Sequence, residues 1–333
     1  MGVGGVPQSH QLAESSAELY DLCRSAWASG DEFLLLGGGS NVIIADHVDD
    51  LNVVRAGNLG IETEIVDSVN VRVRVQAGEN WDQFVAWCVS EGLAGIEAMS
   101  GIPGSVGATP VQNVGAYGQE VSQVITAIEF LERGTRKARQ IEPGILRFGY
   151  RDSALKHGLE GAIGWVEFQL QRLGGMSVPM ASGQITNALG EPYGSQLPLR
   201  VVRETVLELR SRKGMVVRHD DPDTRSCGSF FTNPVVPYES SLHFPQEMTK
   251  WTMNDETGAV KLSAAWLIEH SGIERGFSLA GSRAAISNKH ALAITNRGGA
   301  SAAEVLELAR HIQERVAAKW GINLVPEPNL IGF

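Results

Sequence analysis

Between Gly95 and Gly118 the chain holds six glycines and two prolines and almost no charge. No helix or strand of ordinary length survives that density, so the stretch has to be turns and short irregular pieces. Its apolar residues, Ile96, Met99, Ile102, Val106, Val111 and Val114, argue against a disordered linker. A long stretch without regular structure inside a compact protein is usually functional. The segment therefore predicts a loop packed tightly on something it binds. Small residues recur at Gly101, Gly104 and Gly107, so a ligand can lie against bare backbone there.

A second glycine run, Gly37-Gly38-Gly39-Ser40-Asn41, joins two short apolar strands, Phe33 to Leu36 and Val42 to Ile44. Consecutive N–H groups in such a run can form an anion-binding nest. It is not the dinucleotide fingerprint, because Val42 stands where the third glycine belongs and a strand follows in place of a helix. The chain also has no Gly-Lys-Ser/Thr phosphate loop and no His-Glu-x-x-His. The two loops together favour a pyrophosphate cofactor held outside a Rossmann fold. Either loop alone would be explained by tight turns.

The remaining periodicities are mixed. Ser15 to Glu18 has the capping-box pattern, with Leu19, Leu22 and Ala26 at helical spacing and Gly30 as the stop. Val alternates with Arg from Val71 to Val75, which predicts a half-buried strand. Asn80 can cap a helix that carries Phe84, Val85 and Cys88 and stops at Gly92. Strands are expected at Val124–Leu131, Trp165–Leu170 and Ala291–Thr295. Helices are expected after Pro198, from about Ser263, and behind Ser301 and Glu304 as far as Gly321. Without a clean strand–helix alternation, the fold class is α+β.

A length of 333 residues allows two or three domains. The net charge of -10 argues against a broad nucleic-acid interface, while a few arginines and backbone dipoles suffice for an anionic small ligand. The longest uncharged run, Ala98 to Gln119, is too broken by glycine and proline to span a bilayer, so no membrane insertion is expected. The first ten residues have no targeting pattern. Cys23, Cys88 and Cys227 are odd in number and far apart, and read as free thiols of a reducing, cytoplasmic compartment. The eight histidines show no metal spacing, so no metal is expected, and His219-Asp220-Asp221 reads as a solvated loop.

Four blocks in order, Leu36-Gly-Gly-Gly-Ser-Asn41, Gly101-Ile-Pro-Gly-Ser-Val-Gly107 running on to Gln112-Asn-Val-Gly-Ala-Tyr-Gly118, Phe148-Gly-Tyr-Arg-Asp-Ser153 and Gly228-Ser-Phe-Phe-Thr-Asn-Pro234, resemble the UDP-N-acetylenolpyruvoylglucosamine reductase (MurB) family. The shorter Pro326-Glu327-Pro328 adds to the match, which spans nearly the whole chain. Compared with the family, Met1 looks like an internal position. The resemblance implies an FAD-binding fold of the vanillyl-alcohol-oxidase type, with two α+β subdomains and a C-terminal α+β substrate-binding domain. The expected division is 1–56 joined by the 320–333 tail, then 57–213, then 214–319. The cofactor is FAD, NADPH is the hydride donor, a UDP-sugar is the substrate, and the chain acts as a monomer.

The family's site residues carry over to matching positions. Gly37, Gly38, Gly39, Ser40, Asn41, Gly101, Ile102, Pro103, Gly104, Ser105, Gly107, Ala108, Asn113, Gly115, Ala116 and Tyr117 would hold FAD. Ser229 resembles the proton donor, Arg151 the grip on the substrate carboxylate, and Glu327 the catalytic glutamate. Tyr150, Lys213 and Asn233 match substrate contacts. Read without the resemblance, Ser229 would be a turn residue, Arg151 a surface arginine, and Lys213 a favourable helix-ending charge. One branch of the family has a tyrosine in a Pro-x-x-Tyr-Gly-x-Leu segment that covers the substrate diphosphate. Ser182 stands there in Pro179 to Ile185, which implies a weaker lid unless Tyr193 supplies the ring. Two other readings are a small-alcohol oxidase of the same fold and an inactive nucleotide-sugar binder.

Overall fold

The computed structural model describes residues 1–30, 33–253 and 257–333. It divides into two units, one made of Pro7–Gly39 and Asp49–Ser211, the other of Met1–Val6, Ser40–Val48 and Arg212–Phe333.

The first unit contains a small parallel sheet and a large antiparallel one. The small sheet has strands Ser9–Ala13, Asn52–Ala56 and Phe33–Leu36, with Asn52–Ala56 in the middle. Helix Ser16–Ser29 connects its outer strands and buries Leu19, Tyr20 and Cys23. Ser15 accepts from the Glu18 amide as expected, but the Glu18 carboxylate reaches the Glu14 N–H and not that of Ser15. Half of the capping box therefore forms. Gly30 ends the helix in the left-handed region, at φ 76°.

The large sheet runs in the order Arg139–Ile141, Ile125–Glu132, Gly161–Arg172, Asn70–Gln76, Ile61–Ile65, and short strand Leu93–Ala94 pairs with the end of Gly161–Arg172. Val71, Val73 and Val75 are fully buried while Arg72 and Arg74 face outward, as the alternation predicts. The buried face packs on helix Trp81–Ser90 through Trp81, Phe84, Val85 and Cys88. The Phe84 and Phe168 rings lie 5.3 Å apart. Asn80 caps this helix by accepting from the Gln83 N–H at 3.0 Å. Helix Leu199–Arg212 follows Pro198, and Arg203 pairs with both carboxylate oxygens of Asp82 at 2.6 and 3.0 Å.

The second unit is built around helix Ala302–Trp320. Both halves of its capping box form between Ser301 and Glu304, and Gly321 stops it at φ 68°. The Asp46 carboxylate adds bonds to the Ala302 and Ala303 amides, as a negative charge at a helix N-terminus should. Leu308, Ile312 and Val316 pack against Ile268, Ile286, Ile294, Phe230 and Phe231. Strand Val42–Ile44 pairs in parallel with Asn329–Ile331, so it shares no sheet with Phe33–Leu36. The expected strand at Ala291–Thr295 begins later, as Ile294–Asn296 paired with Ala284–Ile286. Ala291 to Ala293 are buried in the turn, where the Ala293 N–H meets the His290 carbonyl. Strands of both orientations and separate helices make the fold α+β.

Among the described residues, no helix is long and apolar enough to cross a membrane, and no group of three or more His, Cys, Asp or Glu could hold a metal ion. The three cysteines are free. Burial pushes the Cys23 thiol up to about 12 and raises Cys88 and Cys227, so none is a ready thiolate.

Candidate active site

In the first unit the two glycine-rich loops lie against each other. A Cβ on Gly38 would fall 2.7 Å from the Gly104 Cα and 2.9 Å from its carbonyl carbon. A Cβ on Gly37 would collide with the Ser105 Oγ, and one on Gly107 would fall 2.5 Å from the Ala77 Cβ. Bare backbone is required at each. The loop is pinned from below by the Trp81 N–H to the Gly104 carbonyl, Val106 to the Glu79 carbonyl and Gly107 to the Ala77 carbonyl. Asp82 accepts from the Gly101 N–H at 2.6 Å. The Ile102, Pro103 and Ala108 side chains remain partly or fully exposed. Ser105 is 5% exposed, and its Oγ has no hydrogen-bond partner among the described residues. An unpartnered buried hydroxyl is costly unless a ligand completes it.

Farther along the loop, Asn113 and Tyr117 adopt left-handed φ of 47° and 51°, and Arg151 does so at 54°. Non-glycine residues rarely take this conformation, and they gather at functional sites. Asn113 is held from three sides, donating to Glu120 and to the Gly149 carbonyl and accepting from the Ser122 N–H. The Arg151 guanidinium donates to the Asn113 and Gly115 carbonyls, and its carbon lies 5.5 Å from the Tyr150 ring centre. The structure thus brings together Asn113, Gly115, Tyr150 and Arg151, from two of the four sequence blocks. Burial raises the Tyr117 phenol, opposed by the charge of Arg210, itself lowered by burial.

In the second unit Ser229 and Glu327 come from paired segments. The Glu327 N–H donates to the Phe230 carbonyl at 2.9 Å, Phe231 bridges Pro326, and the Thr232 N–H reaches the Val325 carbonyl. Both site residues are half-buried. Asn41 is beside them: its Nδ2 donates to the Glu327 carbonyl at 3.3 Å, and its own carbonyl accepts from the Asn329 N–H. The Asn233 Oδ1 accepts from the Ala264 N–H and helps cap helix Ala264–Glu269. Lys213 lies near enough to His290 to act on its charge state. Burial foremost, then Lys213 and Arg275, lower His290 to about 4, so it is neutral at pH 7.

Sequence reasoning did not single out His290, Asp223 or the Asp82–Arg203 pair. Nothing local marks them, because each matters through partners distant in sequence. One expectation needs correcting. Ser182 does not stand on an open lid: it is 8% exposed and precedes helix Gly183–Leu189, with its carbonyl accepting from the Ile185 and Thr186 amides. Met180 and Ile185 are buried with Ala98, Leu197, Val202 and Val206. A Cβ on Gly118 would lie 2.5 Å from the Ala181 carbonyl oxygen. Met180 and Ile185 anchor this segment in a core and bury Ser182 between them. Tyr193 is 72% exposed.

The profile of the UDP-N-acetylenolpyruvoylglucosamine reductase C-terminal domain matches residues 220–331, and that of the FAD binding domain matches residues 7–135. A UDP-N-acetylenolpyruvoylglucosamine reductase of Leifsonia xyli subsp. xyli is 43% identical, covering 100% of this chain and 96% of its own. That of Thermobifida fusca is 44% identical over 100% and 95%. That of Mycolicibacterium gilvum is 46% identical over 92% and 86%. Among solved structures, the UDP-N-acetylenolpyruvylglucosamine reductase of Thermus caldophilus shares the fold, with a TM-score of 0.63 at 24% identity over 97% of this chain and 91% of that one. With relatives this similar along its whole length, the chain belongs to the UDP-N-acetylenolpyruvoylglucosamine reductase family.

Proposed function

We propose that this protein reduces the enolpyruvyl group of UDP-N-acetylglucosamine enolpyruvate to give UDP-N-acetylmuramate, a step of peptidoglycan precursor synthesis, with NADPH as hydride donor. The observation that carries the reading is the register pairing the Ser229 segment with the Glu327 segment, through the Glu327 N–H and the Phe230 carbonyl. It puts a hydroxyl and a carboxylate on neighbouring backbones although they are far apart in sequence.

FAD fits the residues present. Gly37, Gly38 and Gly107 leave backbone bare where a side chain would collide, and the buried Ser105 hydroxyl lacks a partner among the described residues. Gly37 to Asn41 would hold the cofactor's diphosphate with main-chain N–H groups, and the loop from Gly101 to Tyr117 would pack along the rest. Bound FAD supplies the two-electron relay between nicotinamide and substrate.

The chain's own residues do the remaining work. Arg151 grips the substrate carboxylate, where a planar guanidinium suits a carboxylate gaining enediolate charge. Its left-handed backbone and two carbonyl partners hold it in place. Ser229 delivers a proton to the carbon bearing the carboxylate. A serine hydroxyl is a weak acid, so the step relies on charge developing beside it. Glu327 polarises the carboxylate or relays that proton, between two prolines that limit its backbone. Tyr150, Lys213 and Asn233 bind the nucleotide and diphosphate. The protein works in the cytoplasm as a monomer.

The test mixes purified protein, NADPH and the enolpyruvyl substrate, and follows absorbance at the nicotinamide band. Substrate-dependent NADPH oxidation is expected. Failure of a flavin-loaded sample to oxidise NADPH with this substrate overturns the reading. A small-alcohol oxidase would instead bleach its flavin with an alcohol alone. The stretch Gly95–Gly118 has no His or Cys for the covalent flavin link common in such oxidases.

A further inference from the structure

The loop that carries Ser229 is fastened along its length to the hairpin of Ala284–Ile286 and Ile294–Asn296. The fastening begins well before the serine. Asp221 forms an ion pair with Lys289. The Asp223 Oδ1 accepts from the Asn288 N–H at 2.9 Å and lies 3.2 Å from the Arg297 Nη2. The Arg225 carbonyl accepts from the Asn296 N–H, and Ser226 bridges Thr295. Past the serine, the Phe230 N–H donates to the Leu292 carbonyl at 2.7 Å.

Half of these contacts, at Arg225, Ser226 and Phe230, are main-chain pairings that carry no side-chain identity. The Asp223–Arg297 contact is different. The Asp223 side chain is 7% exposed and that of Arg297 26%. Arg297 also donates to the Ile286 carbonyl at 3.1 Å, so the hairpin itself holds the guanidinium. When turned so that its oxygen faces Arg297, the Asn288 amide accepts from both Nη atoms at 3.0 Å. A buried charge pair with a fixed partner tolerates little displacement, because any slip leaves a desolvated charge unpaired. Asp223 also bounds the other flank: a Cβ on Gly214, next to Lys213, would lie 3.1 Å from the Asp223 carbonyl oxygen.

We propose that Asp223 is a positioning residue for the second half of the reaction. It touches no reacting atom. By locking its loop to Asn288 and Arg297 it fixes the register that sets the Ser229 hydroxyl and the turn bearing Lys213. The inference rests on Ser229 being the proton donor in the function proposed above. Its side-chain chemistry is specific: a carboxylate at this depth satisfies one amide and one guanidinium, whereas an amide meets the guanidinium with half its acceptors and no charge.

The experiment uses the flavin-loaded full chain with Asp223→Asn and, as the milder variant, Asp223→Glu. Stopped flow separates flavin reduction by NADPH from flavin reoxidation by the enolpyruvyl substrate. Asp223→Asn is expected to slow reoxidation by 10-fold or more and to change reduction by less than twofold, with Asp223→Glu recovering part of the loss. Hydrogen exchange supplies a readout that needs no turnover: the Phe230 amide should exchange faster in Asp223→Asn while amides of helix Ala302–Trp320 keep their protection. Both half-reactions falling together, or exchange rising equally throughout the unit, would make Asp223 structural only and overturn the inference. An unchanged Phe230 amide overturns it as well. If Asp223→Asn does not fold, Asp223→Glu carries the same two readouts. Inactivity of the unsubstituted protein toward the substrate would instead remove the proposed function, and this role with it.

Discussion

The large antiparallel sheet and the glycine-rich loop of the same unit are ordered by opposite means. Between the sheet and the helix packed on it, Val71, Val73, Val75, Phe84 and Phe168 fill space, and stability follows from apolar area removed from water. In the loop, order comes from side chains that are missing. Gly37, Gly38 and Gly107 allow backbone to meet backbone or Cβ at distances no substituted residue permits. The contrast teaches where sequence changes are felt. The sheet registers lost volume through the stability of the whole unit. The loop registers added volume through what it can bind.

The sharpest way to break this contrast is to remove volume from the core between the sheet and helix Trp81–Ser90. Phe84→Ala should cost about 3–5 kcal/mol of unfolding free energy in a denaturant titration. The flavin-to-protein ratio of the folded fraction should stay unchanged, and loss of flavin without loss of stability would contradict the comparison. Gly38→Ala is the reverse case. Its new methyl faces the Gly104 main chain, which cannot swing aside, so flavin affinity measured by fluorescence recovery should fall 10-fold or more, about 1.4 kcal/mol for each tenfold. Melting of the flavin-free protein should change far less.

Ser182→Tyr tests the corrected segment. Forcing a ring into the closely packed region beside Met180 and Ile185 should destabilise by about 1–3 kcal/mol. A lower Michaelis constant for the nucleotide substrate with no change in melting would restore the lid. The smallest effect concerns Glu97, fully buried within the glycine-rich stretch. It accepts from the Gly95 and Val178 amides, yet burial outweighs these bonds and raises its carboxyl above the usual value. A raised carboxyl favours the folded state below its unfolded value, about 4.3, and that stability is lost as pH rises through the folded value. The slope in that window is at most about 1.4 kcal/mol per pH unit. Glu97→Gln should flatten it, and an unchanged slope in melts across pH 4 to neutral would show that Glu97 does not titrate as described.

Much of this was legible in the sequence, for reasons that differ by region. Ser301 with Glu304, Asn80 and Gly321 announced helix ends because capping is a contact between residues three or four apart. The Val–Arg alternation announced a strand because pleating alone sets a period of two. The glycine-rich stretch announced a closely packed irregular loop but not its path, since its turns are fixed by Ala77, Asp82 and Ala181 elsewhere in the chain. Val42–Ile44 was legible as a strand after the glycine run, but its partner, Asn329–Ile331, lies too far along the chain for any local pattern to name it. Asp223 drew no reading at all, and Ser182 read as part of a lid, because burial by remote segments leaves no local trace.

That pairing of Val42–Ile44 with Asn329–Ile331 also dictates an order of assembly. Asn41 and Glu327, joined by a hydrogen bond, are separated by 286 positions. Closing so large a loop carries an entropy cost that only later contacts repay. The unit formed by Pro7–Gly39 and Asp49–Ser211 has all of its residues available before the last third of the chain is synthesised. The other unit lacks a strand partner until residues 329–331 have been synthesised. Vectorial synthesis therefore favours a nascent chain whose flavin-binding half matures first, with strand Val42–Ile44 waiting for Asn329–Ile331 to reach it.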